Sequence, residues 1–217
     1  MPALKFLISP VLNLDYFGIA GSDKAFNVYL YAQVGDVFVS SGFNPQVITT
    51  PAPAASWIQA SEQQFALIRS ILNIKLNRIN DQSLPDITFF IDTETFLDEA
   101  SGAITKGVQA LNRENQVGRQ RTEISLNGLE INNQPEDFGR YVFSYELFHA
   151  LGLEDAFDDR GDDFCPSTYP QQSATPEESV VSYRSPASGV YPVDFTQYAY
   201  EVLGQIWGFV PSAEVDN

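Results

Sequence analysis

Tyr145-Glu146-Leu147-Phe148-His149-Ala150-Leu151-Gly152-Leu153-Glu154-Asp155 is the stretch that decides how the rest of the chain is read. Just upstream, Asn133, Pro135 and Glu136 make a helix start: a side-chain cap, a proline in the first turn and a glutamate at the capping-box position. Phe138, Val142, Tyr145, His149 and Leu151 then recur at helical spacing, which predicts a helix over 139–151. Tyr145 and His149 are four residues apart and share a face, and Glu146 sits one position round from Tyr145, able to lean toward whatever the pair holds. Gly152 suits the left-handed conformation that ends a helix, and a sharp turn there would bring Asp155 back toward His149.

Glu146, His149 and Gly152 stand in the register of the zinc-protease helix signature H-E-x-x-H-x-x-G-x-x-H, with Tyr145 at the first histidine position and Asp155 at the last. Further on, Ser179-Val180-Val181-Ser182-Tyr183 resembles the turn beneath the metal in metzincin metalloproteases, which usually reads S-x-M-S-Y. Val181 stands where that family has its Met, and Tyr183 where the astacin and serralysin branches carry a metal-binding Tyr. Asp194 to Gly208 reads as a closing helix, with Asp194 and Gln197 as a capping-box-like start, an apolar face of Phe195, Tyr198, Ala199, Val202, Leu203 and Ile206, and Gly208 as the stop. On these features the chain resembles a metzincin-like zinc metalloprotease domain of the serralysin, astacin and matrixin type, with a degenerate metal-binding motif. The resemblance is sharp over 133–208 and architectural before that. It implies an α/β (α+β) fold: a twisted, mostly parallel sheet with a long helix, an active-site helix and a C-terminal helix. It also implies one domain over 1–217, in which 1–57 supplies N-terminal strands and a loop, and a cleft between the 139–151 helix and the 179–185 turn.

A site of this kind needs a tetrahedral metal, an open position for water and a carboxylate that takes the water's proton. By the resemblance, Glu146 is that carboxylate, Tyr145, His149 and Asp155 are the metal ligands, and Tyr183 is an optional fourth ligand or a stabiliser of the oxyanion. The chain has a single His, so an all-imidazole site is impossible. The family tolerates Asp as the third ligand; Tyr145 is the larger departure. Phenolate and carboxylate in place of imidazole make the site harder and more anionic, shifting preference from zinc toward ferric iron, manganese or calcium. If zinc binds, the added negative charge raises the pKa of its water and slows peptide hydrolysis. Two functions therefore stand side by side: water-activated hydrolysis of a peptide or protein substrate, and a catalytically inactive pseudopeptidase that binds peptide or a hard metal in the same cleft. The alternative structural reading makes Tyr145 a core aromatic and Asp155 a loop carboxylate. Asp158, Asp159, Asp162 and Asp163 cluster as a calcium-type loop or as a solvated acidic loop, without EF-hand spacing.

The 217 residues suffice for one domain with a sizeable core, and 44% hydrophobic and 13% aromatic content suits a packed globule. A net charge of −16 argues against nucleic acid and anionic membranes as partners, and no apolar run approaches the roughly 20 residues of a membrane span. Met1–Pro10 makes a poor secretory signal; Leu4–Ile8 reads as a strand, and the compartment stays open, secretion by another route included. Cys165 is the only cysteine, so there is no internal disulfide, and a buried inert thiol is its default reading. Met1 is the only Met. The alternating run Asn27–Val34 predicts a strand and 48–55 a short loop. Ser61 with Gln64 opens a long helix striped by Phe65, Ile68, Leu72, Leu76 and Ile79. Leu84–Ile91 predicts a strand apolar enough to be central, and Thr122–Ile131 contains another with Ile124 and Leu126 on one face. There is no internal repeat, and Pro211–Asn217 reads as a polar tail.

Overall fold

Phe26, Val28 and Leu30 alternate with Asn27, Tyr29 and Tyr31, the period of a strand with two different faces. They lie on β1 (Ala25–Leu30), which ends four residues earlier than the alternation suggests; Val34 lies beyond it and is 77% exposed. The computed structural model describes residues 22–39, 46–82, 85–92, 96–97, 104–105, 107–112, 121–132, 136–152, 186–192 and 194–211. After β1 come a hairpin of β2 (Gly35–Val39) and β3 (Gln46–Thr50), then helix α1 (Ala55–Ile71) and β4 (Lys75–Ile79). Next are β5 (Ile87–Asp92), the short pair β6 (Phe96–Leu97) and β7 (Ile104–Thr105), β8 (Gly107–Asn112) and β9 (Arg121–Asn127). Among the described residues three helices follow: α2 (Gly128–Asn132), α3 (Glu136–Ala150) and α4 (Gln197–Trp207).

The main sheet has the order β4-β1-β5-β9-β8. β4, β1, β5 and β9 run parallel, and β8 pairs antiparallel with β9 at the edge. The protein is thus mixed α/β with a mostly parallel sheet. β5 is its central strand, and the run Ile87-Thr88-Phe89-Phe90 is buried on both faces, as a central parallel strand requires. Asp86 ties three strands together at their start. Its carboxylate Oδ2 accepts the Asn27 N–H at 2.7 Å, its N–H donates to Asn27 O at 2.8 Å, and its carbonyl accepts the Thr122 N–H at 2.7 Å.

The helices share one face of this sheet. Phe26, Val28, Leu76, Ile87, Phe89, Ile124 and Leu126 point there and form one core with Phe65 and Ile68 of α1, Phe143, Leu147 and Phe148 of α3, and Val202, Leu203 and Trp207 of α4. Fully burying side chains of this size contributes about 1.5–3 kcal/mol each. Phe143 stacks on Phe89 with ring centroids 4.6 Å apart. On the other face the β2–β3 hairpin covers Phe90 with Val39 and Ile48, and Tyr31 and Val37 pack alongside. The chain's last described residues close on its middle. Asn73 N–H donates to Gly208 O at 2.8 Å, Val210 N–H to Ile71 O at 2.9 Å, and Lys24 Nζ to Trp207 O at 2.6 Å. Among the described residues no helix is long and apolar enough to cross a membrane.

Several expectations shift. The long helix starts at Ala55 rather than Ser61, with Ala54 as an N-cap that offers no side-chain bond, and the Ser61 hydroxyl donates instead to Ile58 O at 2.8 Å. It also stops sooner: Leu72 is extended, and Leu76 and Ile79 lie on β4 rather than on the helix stripe. Ile48–Thr50, read as loop, belongs to β3. Ile131, read with the last strand, lies on α2. The closing helix is capped by Thr196, whose hydroxyl accepts the Ala199 N–H at 3.2 Å, and not by Asp194. Leu4–Ile8, Asn133 and Pro135 lie outside the described residues.

Candidate functional site

Helix α3 is buried almost all round, and the few half-exposed side chains include Tyr145 and His149. Its inward residues, Val142, Phe143, Leu147, Phe148 and Leu151 just beyond it, are at most 5% exposed and lock its position against the sheet. That leaves the row Asp137, Tyr141, Tyr145, His149, at i+4 spacing, along one flank. The row is anchored at its start, where Asp137 Oδ2 accepts the Tyr191 N–H at 2.7 Å. Tyr191 then packs edge-on to Phe138 at 4.8 Å and tilted against Tyr141 at 5.0 Å. Tyr141 meets Tyr145 at 6.2 Å, and Tyr145 meets His149 edge-to-face at 4.8 Å and 78°. Offset and edge-on pairs of this kind are favoured by the charge distribution of the rings.

The C-terminal end of the helix is tightly closed. Leu151 N–H bonds to Leu147 O at 3.0 Å and Gly152 N–H to His149 O at 2.9 Å. Gly152 has φ +100°, a region that side chains bearing a Cβ rarely enter, so a glycine at this point of the motif has a steric reason. The Trp207 indole N–H donates to Leu151 O at 2.9 Å in a buried position, fixing α4 to the end of α3. His149, in the last helical turn, also stands where a positive charge is favoured by the helix dipole.

The fold brings Tyr145 and His149 into ring contact on a half-exposed flank. Glu146 lies on the same turn and is 5% exposed, facing inward more than its two neighbours. A phenol oxygen and an imidazole nitrogen on half-exposed side chains are competent donors to a hard or borderline metal, and a carboxylate on the same turn is a competent proton acceptor. Asp155, Val181, Tyr183, Cys165 and the cluster Asp158, Asp159, Asp162 and Asp163 lie outside the described residues, as does the 179–185 turn. Among the described residues no three His, Cys, Asp or Glu side chains gather as a metal-holding group. Tyr141 and Tyr191 escaped the reading of the sequence. The signal for Tyr141 was present, since it precedes Tyr145 by one more step of four; Tyr191 is joined by tertiary packing alone. Set against known proteins, the chain matches no family model and no curated sequence.

Proposed function

We propose that the chain is a metzincin-like metallopeptidase domain with a non-standard metal site, in which Tyr145 and His149 are two of the ligands and Asp155 and Tyr183 complete the set. The observation that carries this reading is the Tyr145–His149 ring contact at 4.8 Å, directly before a helix end that turns at Gly152 with φ +100°. The mixed α/β architecture, with a mostly parallel sheet, a long helix, the motif helix and a C-terminal helix, supports it. The donor types present fit a hard or borderline cation such as zinc or ferric iron. When bound there, such an ion would polarise a substrate carbonyl and acidify a water. Glu146 would accept that water's proton and pass it to the leaving amine. The burial of the carboxylate, at 5% exposed, keeps bulk water away from it.

A second reading has its own observation. Tyr145 is one rung in the packed row Tyr191–Tyr141–Tyr145–His149, the place of an aromatic kept for packing. A pseudopeptidase that binds peptide along that row, with no hydrolysis, accommodates this. The two readings part on peptide cleavage, measured together with the metal content of the purified chain and its variants. The peptidase reading expects metal near one equivalent, lost in His149→Ala, and peptide cleavage lost in Glu146→Gln with metal retained. Tyr145→His combined with Asp155→His should raise zinc affinity and cleavage together. Tight zinc binding by that double variant with no cleavage across a broad peptide library would leave the pseudopeptidase reading standing.

A further inference from the structure

On a different flank of α3 from Tyr145 and His149, a niche opens between α1 and α3, lined by Trp57, Ser61 and Gln64 on one side and Arg140 and Ser144 on the other. Its polar lining includes two nitrogen donors, the Gln64 side-chain amide and the Arg140 guanidinium. Gln64 is 4% exposed, and among the described residues its Nε2 has no hydrogen-bond partner. Arg140 is half-buried and makes no hydrogen bond or ion pair among the described residues, in a chain whose 28 acidic residues outnumber its 12 basic ones. Acceptors for a guanidinium are plentiful on such a surface, yet this residue lines the same niche as a second donor that also lacks one. A buried amide N–H without an acceptor is destabilising, and a charged donor beside it is answered best by an anionic oxygen. The niche is partly open to solvent and has room for about one water-sized atom. The indole of Trp57, edge-on to Phe143 at 6.5 Å, forms one wall.

We propose that this niche binds a small oxyanion, taking one oxygen of a carboxylate or phosphate group between Gln64 Nε2 and the Arg140 guanidinium. A space of about one water-sized atom admits one oxygen, and the planar fork of Arg140 suits the remainder of a carboxylate or phosphate group. Gly139, next to Arg140, keeps α3 close to this wall: a Cβ there would lie 3.1 Å from Trp57 Cζ2. The site is independent of the metal chemistry proposed above and does not require it.

The test titrates the full chain separately with inorganic phosphate and with sodium acetate, at ionic strength held constant with sodium chloride, following tryptophan emission and the melting temperature. A saturable emission change with a matching rise in melting temperature is expected for at least one anion, and the two curves decide between phosphate and carboxylate. Arg140→Met should weaken apparent affinity by about tenfold or more and Gln64→Leu by several-fold, with Arg140→Lys intermediate. Trp57→Phe should remove the emission change but keep the rise in melting temperature, which separates the niche from the second indole, Trp207. Arg140 is half-buried, so the Met and Lys variants should keep the far-ultraviolet circular dichroism of the parent. A response that never saturates, no response to either anion, or identical curves for the parent and both Arg140 variants would overturn the proposal.

Discussion

The two faces of the main sheet are built differently. On the helical face, α1, α3 and α4 bury one continuous core that includes Phe26, Phe65, Phe89, Phe143 and Trp207. On the hairpin face, Val39, Ile48 and Phe90 form a small separate cluster, and the outward side of the hairpin leaves Phe38 at 61% and Val47 at 58% exposed, directly opposite one another. The strands record the same division: Ile124 and Leu126 of β9 face the helices, while Glu123, Ser125 and Asn127 face away. The candidate site hangs from the well-packed side. Tyr145 and His149 project from the outer flank of a helix whose inner flank is close-packed, so their placement is fixed by residues that carry no chemistry.

The sharpest challenge to this contrast is truncation on each face. Phe143→Ala removes the ring stacked on Phe89 and touching Trp57 and Phe65, and should cost about 3–5 kcal/mol in urea unfolding. A loss below about 1 kcal/mol would mean that the helical face is no more cooperative than the hairpin. Gly139→Ala should cost about 1–3 kcal/mol by the same measurement, because its Cβ would meet Ile131 Cγ2 at 2.6 Å with Trp57 close behind.

Tyr200 tests the quality of the helical core from within. It is 8% exposed, and among the described residues its hydroxyl has no hydrogen-bond partner. Burial, reinforced by the Asp194 carboxylate, pushes its phenol well above the ordinary value near 10. In the unfolded chain the phenol ionises near that ordinary value, whereas the folded protein holds its proton to higher pH. Ionisation of Tyr200 therefore takes nothing from stability below pH about 10, and stability falls as pH rises from there toward the folded-state value. Tyr200→Phe should raise stability by about 1 kcal/mol at neutral pH and flatten the alkaline limb of a stability–pH profile. The smallest effect is expected on the other face, where Phe38→Ser should change stability by less than about 0.5 kcal/mol. A loss of several kcal/mol there would mean that the exposed Phe38–Val47 pair is held in a structural contact, and the contrast between the faces would fail.

The motif helix was legible because two signals agree on it: apolar spacing from Phe138 to Leu151 and a glycine at the one position that needs positive φ. α1 was misjudged at both ends for opposite reasons. Its start lacks a side-chain cap, so nothing in the letters marks Ala55. Its end is hidden because Leu72, Leu76 and Ile79 continue the helical spacing. Leu72, Ile74 and Leu76 also alternate, and tertiary pairing of Leu72 with Phe209 and of β4 with β1 decides for the extended form. The β2–β3 hairpin was missed because no Asn-Gly or Asp-Gly turn announces it. The Gln64–Arg140 niche joins residues from two helices, and no local pattern encodes it. The Tyr145–His149 contact was legible because helix geometry alone brings i and i+4 together.

The bonds that join Gly208 and Val210 to Asn73 and Ile71 also impose an order on biosynthesis. β1 emerges from the ribosome before its two neighbours, β4 and β5, and the Leu72–Phe209 bridge waits until residue 209 has been made. Trp207, which fills the core against Phe26 at 5.4 Å and holds the end of the motif helix through Leu151 O, arrives among the last described residues. A nascent chain halted before α4 would display the apolar surface of α3 and of the sheet that α4 covers. The helix that carries the candidate chemistry is thus secured only after α4 has been made, so products that stall or terminate before α4 should be recognised by chaperones and proteases rather than persist as partly active fragments.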